Sequence, residues 1–391
     1  MSIEVAGDLG VLTEELPKME TGLRIGRLRE GFEAVGIDAI VVTNLTNVRY
    51  LTGFTGSAAT LLVTAEAALI TTDGRYRTQC REELENAGVA AEVDVEIGGL
   101  QAQRDALKAC LVTKNALGGA NVGLESESVS WGSAKRMIEL LDGVNVVATS
   151  GLVEELRESK DAGEIARIKR AAGIADAALG EVLPMLATRQ RCTGVTEADF
   201  ALELDTAMRR LGAEGAAFET IVAAGANSAK PHHQPTLREI VRGDAVVVDF
   251  GAIYEGYRSD MTRTFSVGGD PGGELARVFD VVETAQAHGV AAVKAGVSTK
   301  DVDDACRKVI ADAGWGEAFE HGTGHGVGLD IHEDPTVGPL GSKLLATGVV
   351  VTVEPGVYLP GIGGVRIEDT LVVTEGGSRS LTRFPKTTVP A

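Results

Sequence analysis

Apolar positions follow two different periods along the first part of the chain. Helical spacing predicts helices at 21–35, with Gly36 as the stop, and near 75–87, 101–112 and 132–142. Short apolar runs between them predict strands at 38–43, 60–64, 67–72, 91–96, 121–125 and 144–148. Strands that alternate with helices in this way predict an α/β domain.

A different order of elements is predicted for the rest of the chain. Residues 153–189 are charged and have helical spacing throughout, so we place a domain junction at their start. Further helices are predicted at 196–212, 273–294 and 299–313, and strands at 219–224, 244–251, 259–267, 348–354, 363–368 and 370–374. Helices that alternate with hairpins predict an α+β architecture. The chain therefore divides into a flexible leader at 1–20, a domain at 21–152 and a domain at 153–391.

Charge and composition exclude several classes of partner. The 391 residues include 37 Lys and Arg against 56 Asp and Glu, a net charge of −19. This balance disfavours nucleic acid and anionic membranes, because both are bound by basic surfaces. No apolar run approaches the ~18 residues of a membrane span, and we see no secretory signal. Four scattered cysteines without a CxxC pair predict reduced thiols in a cytoplasmic protein.

Two pairs of acidic residues lie at the ends of apolar, strand-like runs. Asp249 ends AVVVDF, and Asp260 opens the next predicted strand after a glycine-containing turn at 252–256. A hairpin would bring both carboxylates to one sheet face. Glu354 ends VVVTVE and Glu368 ends GGVRIE, so a second hairpin can present a second pair. A lone carboxylate at a strand end is usually a turn cap, but four of them aimed into a core need a shared cation, because an unpaired buried charge is costly.

Five of the six histidines fall in two short segments beside these carboxylates. His232 and His233 lie in KPHHQP, and HGTGHGVGLDIHEDP contains the others: His321, His325 and His332. The second segment is too rich in glycine for a helix and contains no HExxH, so it is not a zinc-binding helix. Glycines allow close backbone approach, so that one histidine can bind a metal while another faces a substrate.

The donor atoms indicate which metal and which reaction to expect. Four carboxylates and one imidazole form a mostly hard ligand set that suits Mn²⁺, Co²⁺ or Fe²⁺. The set has too many carboxylates for one ion, so we expect two bridged ions about 3.5–4 Å apart. Such a pair predicts a hydrolytic reaction.

Motifs around these residues, in the order Asp, Asp, His, Glu, Glu, are DFGA, SDMTRTF, GTGHGVGLDIHE, VEPGVY and GGVRIEDT. They resemble the pita-bread-fold metallopeptidases, the group of methionine aminopeptidase, aminopeptidase P and prolidase. NLTNVRYLTGFTGSAATLLVT and ITTDGRYRTQ resemble the N-terminal domain of the aminopeptidase P, prolidase and creatinase branch. The resemblance implies a pita-bread catalytic domain preceded by a smaller creatinase-type domain. It also implies a homodimer, or a dimer of dimers, that hydrolyses the Xaa-Pro bond of short peptides.

The resemblance also implies a metal-binding role for each motif residue. Asp249 would bind one ion, and His325 with Glu354 would bind the other. Asp260 and Glu368 would bridge the two ions. Glu354 would also accept a proton from the bridging water as it attacks the scissile carbonyl. Mn²⁺ is the expected metal, with Co²⁺, Fe²⁺ and Zn²⁺ as alternatives.

Substrate contacts are implied in the same way. His232 and His332 would hydrogen-bond the substrate or its tetrahedral oxyanion. Arg366 would support a metal ligand or contact the substrate. Tyr358 and Phe218 would line the rim of a proline pocket, although a core position is at least as good an interpretation for Phe218. The remaining histidines are expected in core or capping roles: His233, His288 and His321.

Other functions and substrates stay open at this point. A metal-free creatinase-like hydrolase and a non-enzymatic binding protein are disfavoured, because all five metal-type ligands are present. A dipeptidase should grip the free carboxylate of its substrate, ideally with an arginine. Residues 331–348 contain no arginine, which leans toward an aminopeptidase acting on longer peptides. Lys343 or a more distant arginine could take that role in a dipeptidase.

Overall fold

Two units make up the part of the chain that the computed structural model describes, residues 13–113, 119–187, 192–269 and 271–386. One unit spans Met19–Arg157, and the other contains the remaining described residues. Of the predicted leader, residues 1–12 lie outside the described residues. Among the described helices, none combines the length and the apolar character that crossing a membrane requires.

The first unit is built on a six-stranded sheet. Its strands are β1 (Ala39–Val42), β2 (Ala59–Thr64), β3 (Ala68–Thr72), β4 (Val93–Ile97), β5 (Asn121–Glu125) and β6 (Asn145–Thr149). They lie in the order β4-β3-β2-β1-β5-β6, with β2 antiparallel to both neighbours and the other pairs parallel. β1 is buried along its whole length, and its sequence AIVV is typical of a strand covered on both faces.

Seven helices accompany this sheet: α1 (Thr21–Glu30), α2 (Phe32–Val35), α3 (Leu45–Thr52), α4 (Arg77–Asn86), α5 (Leu100–Thr113), α6 (Trp131–Leu140) and α7 (Glu154–Glu158). Gly36 ends α2 with a φ of 69°, the left-handed conformation expected of a helix stop. α3 lies where no helix is predicted, and the Asn44 side chain caps it by accepting the Thr46 N–H at 3.0 Å. The predicted alternation of strands and helices is otherwise confirmed.

The second unit contains four long helices, α8 (Ala162–Val182), α9 (Glu197–Arg210), α10 (Gly273–Ala292) and α11 (Thr299–Asp312). The helix predicted over 153–189 is interrupted between α7 and α8. Asp161 starts α8 with a capping box: its side chain accepts the Glu164 N–H at 2.9 Å, and Glu164 accepts the Asp161 N–H at 3.0 Å. The capping box therefore starts a separate helix at Ala162, where helical spacing alone predicts one continuous helix.

The strands of this unit are β7 (Cys192–Thr196), β8 (Gly215–Ala216), β9 (Ile221–Ala224), β10 (Glu239–Val241), β11 (Ala245–Phe250), β12 (Ala252–Tyr254), β13 (Tyr257–Arg258), β14 (Met261–Ser266), β15 (Gly324–Gly326), β16 (Glu333–Val337), β17 (Val350–Val353), β18 (Gly356–Leu359), β19 (Gly363–Arg366), β20 (Asp369–Thr374) and β21 (Gly377–Ser380). They form one sheet in the order β14-β11-β9 and another in the order β16-β15-β17-β20-β21. Three smaller sheets are β10-β7, β13-β12-β8 and β18-β19.

Each of the two larger sheets packs against its own pair of helices. Leu179 of α8 and Phe200 of α9 are buried in one core with Val248 of β11. Val282 of α10 is buried in a second core with Val353 of β17. Helix pairs that cover hairpin-rich sheets agree with the predicted α+β class.

The two tryptophans of the chain lie in different units. Trp131 opens α6, is 75% exposed, and has the Lys135 ammonium 5.3 Å from its ring centroid. Trp315 is partly buried against the second core, with the Arg277 guanidinium 5.1 Å from its ring centroid. The two side chains therefore differ in their exposure to solvent.

Candidate metal centre

Both predicted carboxylate hairpins are present, and each consists of an inner and an outer pair of strands. In the first, β11 pairs with β14, and the chain between them forms the outer pair β12 and β13. In the second, β17 pairs with β20, and the outer pair is β18 and β19. The predicted ligands lie at or beside the points where the chain passes between the inner and outer pairs: Asp249, Asp260, Glu354 and Glu368.

His325 is held in place by the backbone around it. A Cβ on its neighbour Gly324 would overlap the Thr352 carbonyl oxygen, so only glycine allows β15 to lie this close to β17. The His325 N–H donates to the Thr352 hydroxyl at 3.0 Å. Nδ1 lies 3.0 Å from the Gly326 carbonyl oxygen, which can only accept, so Nδ1 donates and Nε2 keeps its lone pair. Burial lowers the pKa of His325 to about 4, so the ring is neutral at pH 7.

Carboxylates surround the free nitrogen of this ring. Nε2 of His325 lies 3.5 Å from Asp260 Oδ2 and 3.6 Å from Glu354 Oε1. Ligand atoms of Asp260, His325 and Glu368 all lie within 4.8 Å of one another. Both distances from His325 Nε2 exceed a normal hydrogen bond. The nitrogen and the carboxylate oxygens are therefore spaced like ligand atoms around a common centre.

Burial and mutual repulsion raise the pKa of the carboxyl groups in this cluster. For Asp260 burial is the largest cause of the raised pKa, followed by the charges of Glu368 and Asp249. For Glu368 burial is again first, followed by Glu354 and Asp249. Burial raises the pKa of Glu354 to about 8, although Arg366 opposes this. Neighbouring positive charge is what would restore the ionised forms.

Three carboxylate oxygens of the cluster are buried without a hydrogen-bond partner among the described residues: Asp249 Oδ1, Asp260 Oδ1 and Glu368 Oε1. Each such atom costs about 1–3 kcal/mol or more in a folded protein. A divalent cation would supply a partner to all three and offset the repulsion among the carboxylates. Oxygen donors with one imidazole suit Mn²⁺, Co²⁺ or Fe²⁺. The residues therefore fit a divalent metal centre.

Arg366 is the central donor behind these carboxylates and is buried. Its Nη2 donates to Asp249 Oδ2 at 2.6 Å, and its Nη1 donates to the Tyr358 hydroxyl at 2.8 Å. Its Nε donates at 3.1 Å to the Thr262 hydroxyl, which in turn donates to Glu368 Oε2 at 2.7 Å. These bonds direct the guanidinium to Asp249, and through the Thr262 hydroxyl to Glu368, so Arg366 orients two of the clustered carboxylates.

Tyr358, expected at the rim of a proline pocket, is buried with only 5% exposed. Its hydroxyl lies 2.9 Å from Nε2 of His321, whose Nδ1 lies 2.7 Å from the Gly322 carbonyl oxygen. Burial lowers the pKa of His321 to about 4, and Arg366 is the next cause. His321 is therefore joined to the carboxylate network through Tyr358, a link that its expected capping role does not include. The amino-acid sequence gives no signal for this link other than the position of His321 in the glycine-rich segment.

The two histidines expected to contact the substrate are both exposed. His332 packs edge-to-face against His325, with ring centroids 4.4 Å apart. His232 lies close enough to His321 to contribute to the lowered pKa of that ring. Both rings are thus next to the cluster and accessible to solvent.

The remaining expected residues differ in burial. His233 is buried with Nε2 2.9 Å from Glu197 Oε2, in agreement with a core role. His288 is exposed on α10, which contradicts the core or capping role expected for it. Phe218 is partly buried between β8 and β9.

A buried ion pair beside His332 was not predicted. Lys160 Nζ lies 2.9 Å from Glu333 Oε2, with side chains 1% and 6% exposed. Glu333 Oε1 accepts the Asp330 N–H at 3.0 Å, so the pair fixes the loop that carries His332. A lysine between two helices gives no sequence signal that it is buried.

Comparisons with known families agree with this geometry. The profile of metallopeptidase family M24 matches residues 166–375, and that of the creatinase/prolidase N-terminal domain matches residues 24–159. The chain belongs to metallopeptidase family M24. The resemblance drawn from the sequence motifs is confirmed, and so are the pita-bread fold and the metallopeptidase class.

M24 relatives match nearly the whole chain. An uncharacterised peptidase of Bacillus subtilis strain 168 is 39% identical over 364 residues, 93% of this chain and 99% of the relative. The structure of an Xaa-Pro dipeptidase from Bacillus anthracis matches with a TM-score of 0.88 and 38% identity, covering 95% of this chain and 99% of that one. That of an X-Pro aminopeptidase from Thermotoga maritima MSB8 matches with a TM-score of 0.81 and 35% identity, covering 92% and 99%.

Proposed function

We propose that this M24 chain hydrolyses Xaa-Pro bonds in short peptides, using two divalent ions held by Asp249, Asp260, His325, Glu354 and Glu368. The observation that carries the proposal is the set of three buried carboxylate oxygens without partners, next to the free nitrogen of His325. The two structural relatives named for Xaa-Pro substrates supply the choice of bond. A proline imide has no N–H, so a dedicated enzyme class is needed for it.

Each residue of the site has a proposed role. Divalent ions bound there supply Lewis acidity and make water acidic near neutral pH. Glu354 accepts the proton of the attacking water, because it is the partly exposed carboxylate beside His325. His232 and His332 donate hydrogen bonds to the substrate or to the oxygen that gains negative charge. Arg366 orients Asp249 through the hydrogen bond that its Nη2 donates.

The metal, the assembly and the domain boundary are proposed from the same resemblance and from the set of ligand atoms. Mn²⁺ is the proposed metal, with Co²⁺, Fe²⁺ and Zn²⁺ as alternatives. We propose a homodimer, or a dimer of dimers, with the domains dividing at 152/153. Cytoplasmic location is supported by Cys80 and Cys306, which form no disulfide within the described residues.

Removal of the metal tests the proposal. Protein treated with a chelator should lose Ala-Pro-Ala hydrolysis, and Mn²⁺ or Co²⁺ should restore it. Asp260→Asn should remain inactive after metal addition, whereas Asp312→Asn, at a 65% exposed side chain, should behave like the wild type. Undiminished activity in metal-free protein would rule the mechanism out.

Substrate length is the second question. Lys343, a candidate to grip the carboxylate of a dipeptide, is already paired with Glu158 and lies 3.1 Å from Asp334. We therefore propose that longer peptides are accepted at least as well as dipeptides. Rates on Ala-Pro and Ala-Pro-Ala decide this, and a strict preference for Ala-Pro would contradict it.

A further inference from the structure

A cavity in the first unit is lined by none of the residues of the proposed metal centre. It has a volume of about 460 Å³, within the range of small-molecule sites, and it lies between α5 and α6. Thr43, Thr60 and Thr71 line it from the sheet, where Thr43 follows β1 and Thr71 lies near the end of β3. The edge at which parallel strands end is where open α/β sheets bind ligands.

The charged side chains that line this cavity are all positive. Arg104 of α5 and Arg136 of α6 both line it, and none of the described lining residues is acidic. Within the described chain, Arg104 has no ion-pair partner, and Arg136 donates only to the Ser133 hydroxyl at 2.8 Å. Both guanidinium groups are therefore available to an anion.

The start of α6 adds donors to the same cavity. Ser130 caps the helix by accepting the Ser133 N–H at 3.2 Å, and Ser128, Ser130 and Ser133 all line the cavity. The Ser128 hydroxyl donates to Glu125 at 3.5 Å and the Ser130 hydroxyl donates to Ser133 at 3.0 Å, so Ser133 is the hydroxyl left to donate to a ligand. Together with the two guanidinium groups and the positive end of a ten-residue helix, it favours a phosphate over other anions.

The other wall is apolar and leaves room beside a phosphate. Its residues come from both helices and the loop before α6: Leu100, Leu107, Val129, Met137 and Leu140. We propose that this cavity binds a small organic phosphate, with the phosphate between Arg104 and Arg136 and the organic part against the apolar wall. Such a ligand would stabilise the first unit by mass action.

Binding of simple probes to the full-length protein tests the proposal. Isothermal titration calorimetry should show binding of phenyl phosphate, weaker binding of inorganic phosphate, and much weaker binding of phenylacetate, which keeps the ring and carries a carboxylate. Arg104→Leu and Arg136→Leu should each weaken phenyl phosphate binding by roughly tenfold or more. Arg81→Leu, at an exposed arginine that does not line the cavity, should bind like the wild type.

Two readouts separate this site from the metal centre. All three variants should hydrolyse Ala-Pro-Ala at the wild-type rate, which also shows that they fold. Phosphate held by the metal ions would bind the arginine variants and the wild type equally, and that result would overturn the proposal. Absence of phenyl phosphate binding, or equal binding of phenylacetate, would overturn it too.

Discussion

At the scale of single residues, His332 and His325 are expected to have different effects on kcat and on metal content when each is replaced. His332 is exposed and contacts His325 only ring to ring, so it is not needed to hold a metal. His332→Ala should lower kcat by about 10²-fold or more, because it removes a donor to developing charge. Metal content, measured by atomic emission, should stay at the wild-type value. His325→Ala is the matched variant and should lose metal; equal metal loss in both would contradict the assigned roles.

Thr262 is the residue through which Arg366 reaches Glu368. Thr262→Val keeps the shape of the side chain and removes its hydroxyl, so Glu368 loses an oriented donor. Mn²⁺ affinity should fall by about 10–100-fold, as for other groups that orient a metal ligand. Thr262→Ser keeps the hydroxyl and should retain most of the affinity. Mn²⁺ titration of chelated protein measures both, and a Ser variant as weak as the Val variant would assign the effect to packing.

At the scale of elements, Asp176 of α8 anchors the segment after β21. It accepts the Arg383 N–H at 2.8 Å and the Phe384 N–H at 3.0 Å. Burial raises the pKa of Asp176 from 3.8 to about 6, despite Arg263 and these two donors. The folded chain thus holds this proton more tightly than the unfolded chain. Its stabilisation is complete below pH 3.8 and is lost as the pH rises through 6.

Asp176→Asn removes this titration. Between pH 4 and 7, the free energy of unfolding of the variant relative to the wild type should rise by about 2 kcal/mol. The loss of one acceptor adds a constant offset that does not depend on pH. Urea unfolding across this range measures the difference, with Asp312→Asn as the exposed control. Parallel curves for Asp176→Asn and the wild type would show that Asp176 keeps an ordinary pKa.

The elements also show how far sequence patterns reach. Long apolar periods predict α5, α10 and α11 within a few residues, because burial sets those periods. α3 is missed because NLTNVRYLT has β-branched residues and asparagines, and its helix depends on the Asn44 cap and on burial. The outer strands β12 and β13 are missed because two or three residues carry no period.

The site shows the same division between pattern and packing. Asp249, Asp260, Glu354 and Glu368 could be grouped from the sequence because they form two pairs at hairpin spacing, each at the ends of apolar runs. The partners of Arg366 and His321 are not, because they are set by which strands pack together. Side-chain pairs between distant segments leave no trace in local spacing.

At the scale of the whole molecule, all proposed metal ligands lie in the second unit. Metal that binds only the folded form stabilises the residues that hold it, by about 2.7 kcal/mol at a concentration of 100 Kd. Hydrogen exchange measured with and without Mn²⁺ should therefore show increased protection in the two carboxylate hairpins. Peptides from β1–β6 should exchange at unchanged rates. Protection that spreads equally into those strands would contradict a metal effect confined to one unit.

The placement of Trp131 and Trp315 gives each unit its own optical reporter. Trp131, at the start of α6, should emit at long wavelength and be quenched by acrylamide, because most of its side chain meets water. Trp315 is shielded, so its emission should be shifted to the blue. With Trp315→Phe and Trp131→Phe, the unfolding of either unit could be timed separately in one stopped-flow trace, without an attached dye.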